Sequence, residues 1–174
     1  VYTARPSVLL AHKPLVSTIN MSNRNACREG ADAARGFPPI ARADARVLIL
    51  GSLPSEASLR AREYYAYPQN AFWKIMQVIA GAEGDYAARC RSLQARGIAV
   101  WDVLSSSVRP GSLDADIDMS SAVPNDFEHF LASHGHIRLV CFNGRKAQQI
   151  FQRRVQPLLP DLELEFALLP STSP

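Results

Sequence analysis

The chain has 174 residues, 47% of them hydrophobic, with 19 Lys and Arg against 16 Asp and Glu, a formal net charge of +3 and a sequence pI of about 8.9. That length suits one domain able to bury roughly two-thirds of its unfolded surface without staples. No stretch approaches the roughly 20 apolar residues of a membrane span, so a soluble globule with no membrane partner is expected; the mild positive charge permits a nucleic-acid partner without requiring one.

The cysteines, Cys27, Cys90 and Cys141, form neither a CxxC pair nor an even set. They point to a reduced, cytoplasmic setting with no disulfide framework and no zinc site. The first 28 residues hold no Asp or Glu, a transit-peptide trait, but "HKP" interrupts any long amphipathic helix and Met21 could be a start residue. Residues 1–36 are therefore read as a disordered leader or remnant ahead of a single domain over 37–174.

Within that domain "RVLIL" (46–50) reads as the first strand. "AFWKIMQVIA" (71–80) predicts a helix with Phe72, Ile75, Met76 and Ile79 on its apolar face and Gly81 as its stop. "DYAARCRSLQAR" (85–96) predicts a second helix, ended by Gly97, and "GIAVWDVL" (97–104) a second strand. "PNDFEHFLASHG" (124–135) opens on a Pro-Asn cap signal and closes on Gly135 as a short helix does. "IRLVCF" (137–142) is the third strand, "RKAQQIFQRRV" (145–155) a helix, and "LELEFALL" (162–169) the fourth strand. This alternation predicts a three-layer α/β/α domain with a mainly parallel four-stranded sheet.

The polar segments "GSLPS", "DVLSSS", "NGRK" and "PSTSP" each follow the C-terminal end of a predicted strand, the edge where open parallel sheets bind ligands. A shared pocket walled by neutral hydroxyls, amides and backbone N–H groups is expected there. "GSLPSEAS" lacks the Gly-Lys-Ser/Thr of a P-loop, no G-x-G-x-x-G follows a strand, and no H-x-x-x-H or carboxylate cluster suggests a metal. No cofactor is expected. His134 and His136 flank Gly135 at a helix end, where capping fits better than ligation. Ser52, Ser55 and Ser58 lie near the first turn, but without G-x-S-x-G or an evident His base a serine hydrolase is unsupported.

The segment "YYAYPQNAFW" (64–73) crowds Tyr64, Tyr65, Tyr67, Phe72 and Trp73 around Asn70. Such aromatics can stack on a planar base, and an amide can hold a water without carrying charge. Spacing alone equally admits Asn70 as a helix cap, with Phe72 and Trp73 in the core.

Together "GSLPSEASLRAREYYAYPQNAFWKIM", "GIAVWDVL", "VCFNGRKA" and "LPSTSP" resemble the uracil-DNA glycosylase superfamily, and more narrowly its hypoxanthine-DNA glycosylase branch, over residues 37–174. The resemblance implies a monofunctional glycosylase acting on damaged DNA as a monomer. It would flip out a deaminated base, hypoxanthine first and uracil or xanthine second, and hydrolyse the N-glycosidic bond. Leu53 stands where the first motif usually carries a water-placing Asp or Asn, and Leu169 where other branches begin the second motif with His or Asn. Asn70 matches the Asn implicated in the hypoxanthine branch, with a water held between it and backbone carbonyls of "GSLPS". Asp102 falls where relatives carry Asn; its carboxylate could accept from an N–H on the Watson–Crick edge of the base, or be a loop carboxylate.

By the same resemblance Ser52, Leu53, Tyr65, Phe72, Asp102 and Asn143 border the base, although Asn143 could instead close its turn. Ser55, Arg145, Lys146, Ser171 and Ser173 are the candidates for DNA contacts, Arg145 and Lys146 being equally readable as a solvated helix face. The chain reads as cut short after the second motif. With Leu53 and Leu169 in place of the usual polar residues, a uracil-preferring enzyme and a lesion-binding protein that does not cut are the alternatives.

Overall fold

The computed structural model describes residues 33–159 and 163–174, which belong to one unit, Ala31–Pro174. In chain order its elements are β1 (Ala34–Arg35), β2 (Val47–Gly51), α1 (Glu56–Ala61), α2 (Phe72–Ala80), α3 (Tyr86–Ala95), β3 (Ile98–Asp102), β4 (Leu104–Ser107), β5 (Val123–Pro124), α4 (Phe127–Ser133), β6 (Leu139–Asn143), α5 (Arg145–Arg154) and β7 (Glu165–Leu169). The main sheet has the order β3-β2-β6-β7 and is parallel throughout, as the alternating pattern predicts. Its inner strands, "VLILG" and "LVCFN", are near-continuous apolar runs because helices cover both faces. The core packs Leu48, Leu50, Val100, Val140 and Phe142 of the sheet against Phe72, Leu93, Ile150 and Phe151 of the helices. Among the described residues no helix is long and apolar enough to cross a membrane, and Cys90 and Cys141 form no disulfide.

A second, antiparallel sheet, β1-β4-β5, lies outside the sequence reading. The predicted strand over 97–104 breaks at Val103. The Val103 and Leu104 N–H groups donate to the carbonyls of Gly51 (2.8 Å) and Ser52 (3.1 Å), and the chain then leaves the main sheet as β4. Its partners β1 and β5 are each two residues long, too short to leave a periodic signal. Ala34 and Arg35, assigned to the leader from sequence, pair with Ser107 and Ser106, so the folded unit begins slightly earlier than residue 37. Residues 1–32, with Met21 and Cys27, lie outside the described residues.

Helix α2 starts and stops where expected, with Gly81 in the left-handed conformation (φ 66°) and its N–H bonded to the Gln77 carbonyl. Its buried face is Phe72, Trp73, Met76 and Ala80, however, and Val78 and Ile79 are 86% and 61% exposed. The indole is the cause. Trp73 Nε1 donates to the Tyr64 carbonyl at 2.8 Å and the ring packs edge-on against Phe72 and Tyr86, which turns the helix away from the Ile75–Ile79 side. In α4 the cap is Asp126, accepting from the His129 N–H, while Asn125 of the expected Pro-Asn cap donates to the Asp102 carbonyl. His134 meets the Phe130 carbonyl at 2.7 Å, the helix-end role read for it.

The rotated face of α2 gives a direct check by chemical denaturation. Met76→Ala should cost about 2–5 kcal/mol through cavity formation, whereas Ile79→Ala should stay within about 0.5 kcal/mol.

Candidate active site

Parallel pairing brings the exits of β2, β3 and β6 to one edge, with Gly51 opposite Asp102 and Asn143 opposite Leu169. A cavity of about 270 Å³ opens there. Ser52, Leu53, Ser55, Tyr65, Asn70, Asp102, Asn143, Ser171 and Ser173, all candidates from sequence, share its wall. Phe72 lies behind the wall rather than in it, fully buried, with its ring stacked on Tyr65 at 3.9 Å between centroids. Arg145 and Lys146 form the first turn of α5 and do not line the cavity. Of "DVLSSS", Asp102 reaches the cavity, whereas Ser105–Ser107 are consumed by β4.

Asn70 is buried and bonded at both ends of its amide. Oδ1 accepts from the Phe72 N–H at 2.9 Å, and Nδ2 donates to Ser173 Oγ at 3.3 Å. Asn70 stands one residue before the N-cap, Ala71, and takes the first N–H of α2, so a single side chain serves that helix end and stands in the cavity wall. The "PSTS" segment is tied back twice more. The Ala71 N–H donates to the Thr172 carbonyl, and Asn143 makes a reciprocal pair with Thr172, Nδ2 to Oγ1 and backbone N–H to Oδ1, both 2.9 Å. Asn143 thus ties the "PSTS" segment to the end of β6 from within the cavity wall, rather than closing its own turn. Gly144, at φ 100°, allows Ser171 to pack where a Cβ would stand only 3.2 Å from the Ser171 Cβ.

The turn "GSLPS" is braced by the 109–114 loop. Its Leu53 and Pro54 carbonyls each accept from the buried guanidinium of Arg109, which also bonds the Gly111 carbonyl. Ser52 Oγ donates to Asp114, and the Glu56 N–H to Ser112 Oγ. Ser55 caps α1, accepting from the Ser58 N–H. The 109–114 loop, with Ser112, Leu113 and Asp114 in the cavity wall, is the part of the site that sequence reasoning missed. "RPGS" signals only a turn, and nothing in its spacing places it against residues more than fifty positions earlier.

The wall holds a second carboxyl beside the predicted Asp102, that of Asp114. Burial, then the charge of Asp114, pushes the Asp102 carboxyl up to about 7, with Arg109 pulling the other way. Tyr65 sits beside it in the left-handed region (φ 56°), a conformation that costs a non-glycine residue roughly 1–2 kcal/mol. Stacking on Phe72 and the Ala66 N–H bond to Ser58 Oγ hold that turn. Burial and the neighbouring Asp102 raise the Tyr65 hydroxyl, keeping it a neutral donor. Among the described residues no group of His, Cys, Asp or Glu could hold a metal ion.

The site is thus a polar cavity at the exits of a parallel sheet, walled by residues of the "GSLPS" turn and of "LPSTS". The family model of the uracil DNA glycosylase superfamily matches residues 38–174. The chain belongs to that superfamily, whose members are hydrolytic DNA glycosylases. It is 37% identical over 142 residues to a Methanosarcina acetivorans protein named hypoxanthine DNA glycosylase, covering 80% of this chain and 85% of the relative. A protein of the same name from Methanosarcina barkeri is 32% identical over the same shares. The solution NMR structure of a Methanosarcina acetivorans protein, described as a candidate uracil DNA glycosylase, superposes with a TM-score of 0.68 at 35% identity, covering 81% of this chain and 85% of that one.

Because the folded-state pKa of Asp102 lies above its ordinary 3.8, its contribution to stability is fully present below that value and is lost as pH rises through about 7. Asp102→Asn removes the ionisation. Its melting temperature should therefore match the parent near about pH 4 and exceed it by several degrees at about pH 8, in thermal scans at both pH values.

Proposed function

We propose that this enzyme flips hypoxanthine from DNA into the cavity at the strand exits and hydrolyses its N-glycosidic bond with a water held by Asn70. The relatives named hypoxanthine DNA glycosylase support the base, and the position of Asn70 supports the water. As the bond breaks, the sugar takes on oxocarbenium character and the base takes up the bonding electrons, so an amide-oriented water suffices as nucleophile. Asn70 Oδ1 uses one lone pair on the Phe72 N–H and keeps the second for a water proton. The bond from Nδ2 to Ser173 prevents the amide from turning over.

One observation carries this reading: the amide that takes the first N–H of α2 is also a wall of the cavity. Single-turnover excision from an inosine duplex tests it. Asn70→Ala should lose most of its excision rate, about 100-fold or more, while still binding lesion DNA. Asn70→Asp, which caps and orients water, should retain appreciable activity. An Asn70→Ala protein that cuts at the parent rate but has lost about 1 kcal/mol of stability would leave Asn70 as a cap alone.

Ser171 and Ser173 of the cavity wall, with Arg145 and Lys146 of the first turn of α5, supply the phosphate contacts in this reading. Changing both Arg145 and Lys146 to Ala should weaken binding to all duplexes alike and lower the slope of log affinity against log salt by about 2. An unchanged slope places both on the solvated face.

A further inference from the structure

We propose that Tyr67, carried on the turn that leads into Asn70, enters the base stack and fills the space that a flipped nucleotide leaves. This rests on the glycosylase reading above and assigns a residue of this chain to the second half of flipping, keeping the base out. The rings of Phe37, Tyr64, Tyr65, Phe72, Trp73 and Tyr86 form an unbroken run of pairs, each ring 3.9 to 6.2 Å from the next between centroids. Among the described residues Tyr67 pairs with no other ring. It is 41% exposed, with Pro68 and Gln69 exposed beside it, and its hydroxyl reaches Gln69 Oε1 at 3.4 Å. An aromatic face left bare in the middle of an aromatic segment is available to stack on a base from outside the protein.

The turn holds that ring beside the cavity. The Asn70 N–H donates to the Tyr67 carbonyl at 2.9 Å, closing a four-residue turn whose ends lie within about 7 Å of each other. Pro68 fixes the second position of that turn. On one side the Ala66 N–H is bonded to Ser58 Oγ, and on the other Asn70 is bonded to the start of α2 and to Ser173. Tyr67 therefore sits one tight turn from the amide that holds the water in the reading above. Tyr65 and Asn70 line the active cavity and also a second, open hollow of about 480 Å³. Tyr67 and Pro68 line the second hollow only, so the turn stands as a ridge between the two.

A nucleotide drawn out of a duplex leaves its neighbours without a stacking partner, and the stack recloses unless a flat apolar group takes the vacancy. Tyrosine suits that place, because its ring offers two large faces and only two side-chain torsions have to be fixed. A phosphate contact is the other use a ridge could have. The hollow beyond it, however, sets Lys74 and Arg89 against Glu63 and Glu83, two cations against two carboxylates. Arg89 also lies over the Trp73 ring, 5.8 Å from its centroid. What the ridge presents to DNA is a ring and not a charge.

The test is single-turnover excision of deoxyinosine placed opposite cytosine, opposite thymine, and in a single strand of the same sequence. Tyr67→Ala should lose about 10- to 100-fold on the inosine–cytosine duplex. The loss should be smaller on the weaker inosine–thymine pair, and about twofold or less in the single strand, where no paired stack has to be held open. Tyr67→Phe should keep the parent rate on both duplexes, because the ring acts and the hydroxyl does not. Equal losses on every substrate that the parent cuts would make Tyr67 a support for Asn70, and an undiminished duplex rate would leave the ring unengaged. Either result overturns the proposal. A second measurement needs no base release: affinity, by fluorescence anisotropy, for a duplex with a tetrahydrofuran abasic site, where the vacancy already exists, against the same duplex without it. The parent should prefer the abasic duplex by about tenfold and Tyr67→Ala should lose that preference. A parent without the preference, or a variant that keeps it, overturns the proposal. A parent that cuts no inosine substrate but shows a preference that Tyr67→Ala loses would remove the hydrolytic reading and leave the stacking role standing.

Discussion

Parallel pairing of β2 with β3 and β6 is the constraint from which the site follows. Parallel neighbours cannot be joined by tight hairpins, so each return crosses a face of the sheet as a helix, and every strand leaves at the same edge. Gly51, Asp102 and Asn143 come together because each is the last residue of its strand. β7, paired on one side only, ends the sheet and delivers "PSTSP" to the same edge.

What makes that edge a site rather than a set of loops is the way its hydrogen bonds are shared out. The carbonyls of Leu53 and Pro54 go to Arg109, the hydroxyl of Ser52 to Asp114, and the amide of Asn143 to Thr172. Those bonds immobilise three loops against one another, so the polar groups left over are held by a rigid surround. Chief among them are the Tyr65 hydroxyl, a carboxylate oxygen of Asp102 and the second lone pair of Asn70. Burying a guanidinium to brace backbone carbonyls is costly unless its N–H groups are well used, and Arg109 places bonds on three carbonyls.

The aromatic segment before α2 serves the fold and the site at once. Trp73 and Phe72 set the rotation of the helix from the core side, and Phe72 carries Tyr65 on its outer face. One stack thus links core packing to the angle of a cavity hydroxyl. A polar residue at position 72 would disturb both, because the ring is fully buried beneath the Tyr65 turn.

From the sequence by itself came the parallel sheet, the helices between its strands, the superfamily, and most of the cavity wall, including Ser52, Asn70, Asp102 and Ser171. These are legible because strand runs, helix stops and strand-exit turns are local signals, and a parallel sheet turns local exits into a common edge. Tertiary structure alone decided which face α2 buries, since Phe72–Met76–Ile79 and Trp73–Met76–Ala80 are equally good helical stripes until Trp73 finds the Tyr64 carbonyl. It also decided that Asn143 ties a turn, that Phe72 stands behind the wall, and that Arg109 and Asp114 belong to the site. Those outcomes depend on contacts between residues up to 62 positions apart, and a contact at that range leaves no periodicity or spacing for a single sequence to display.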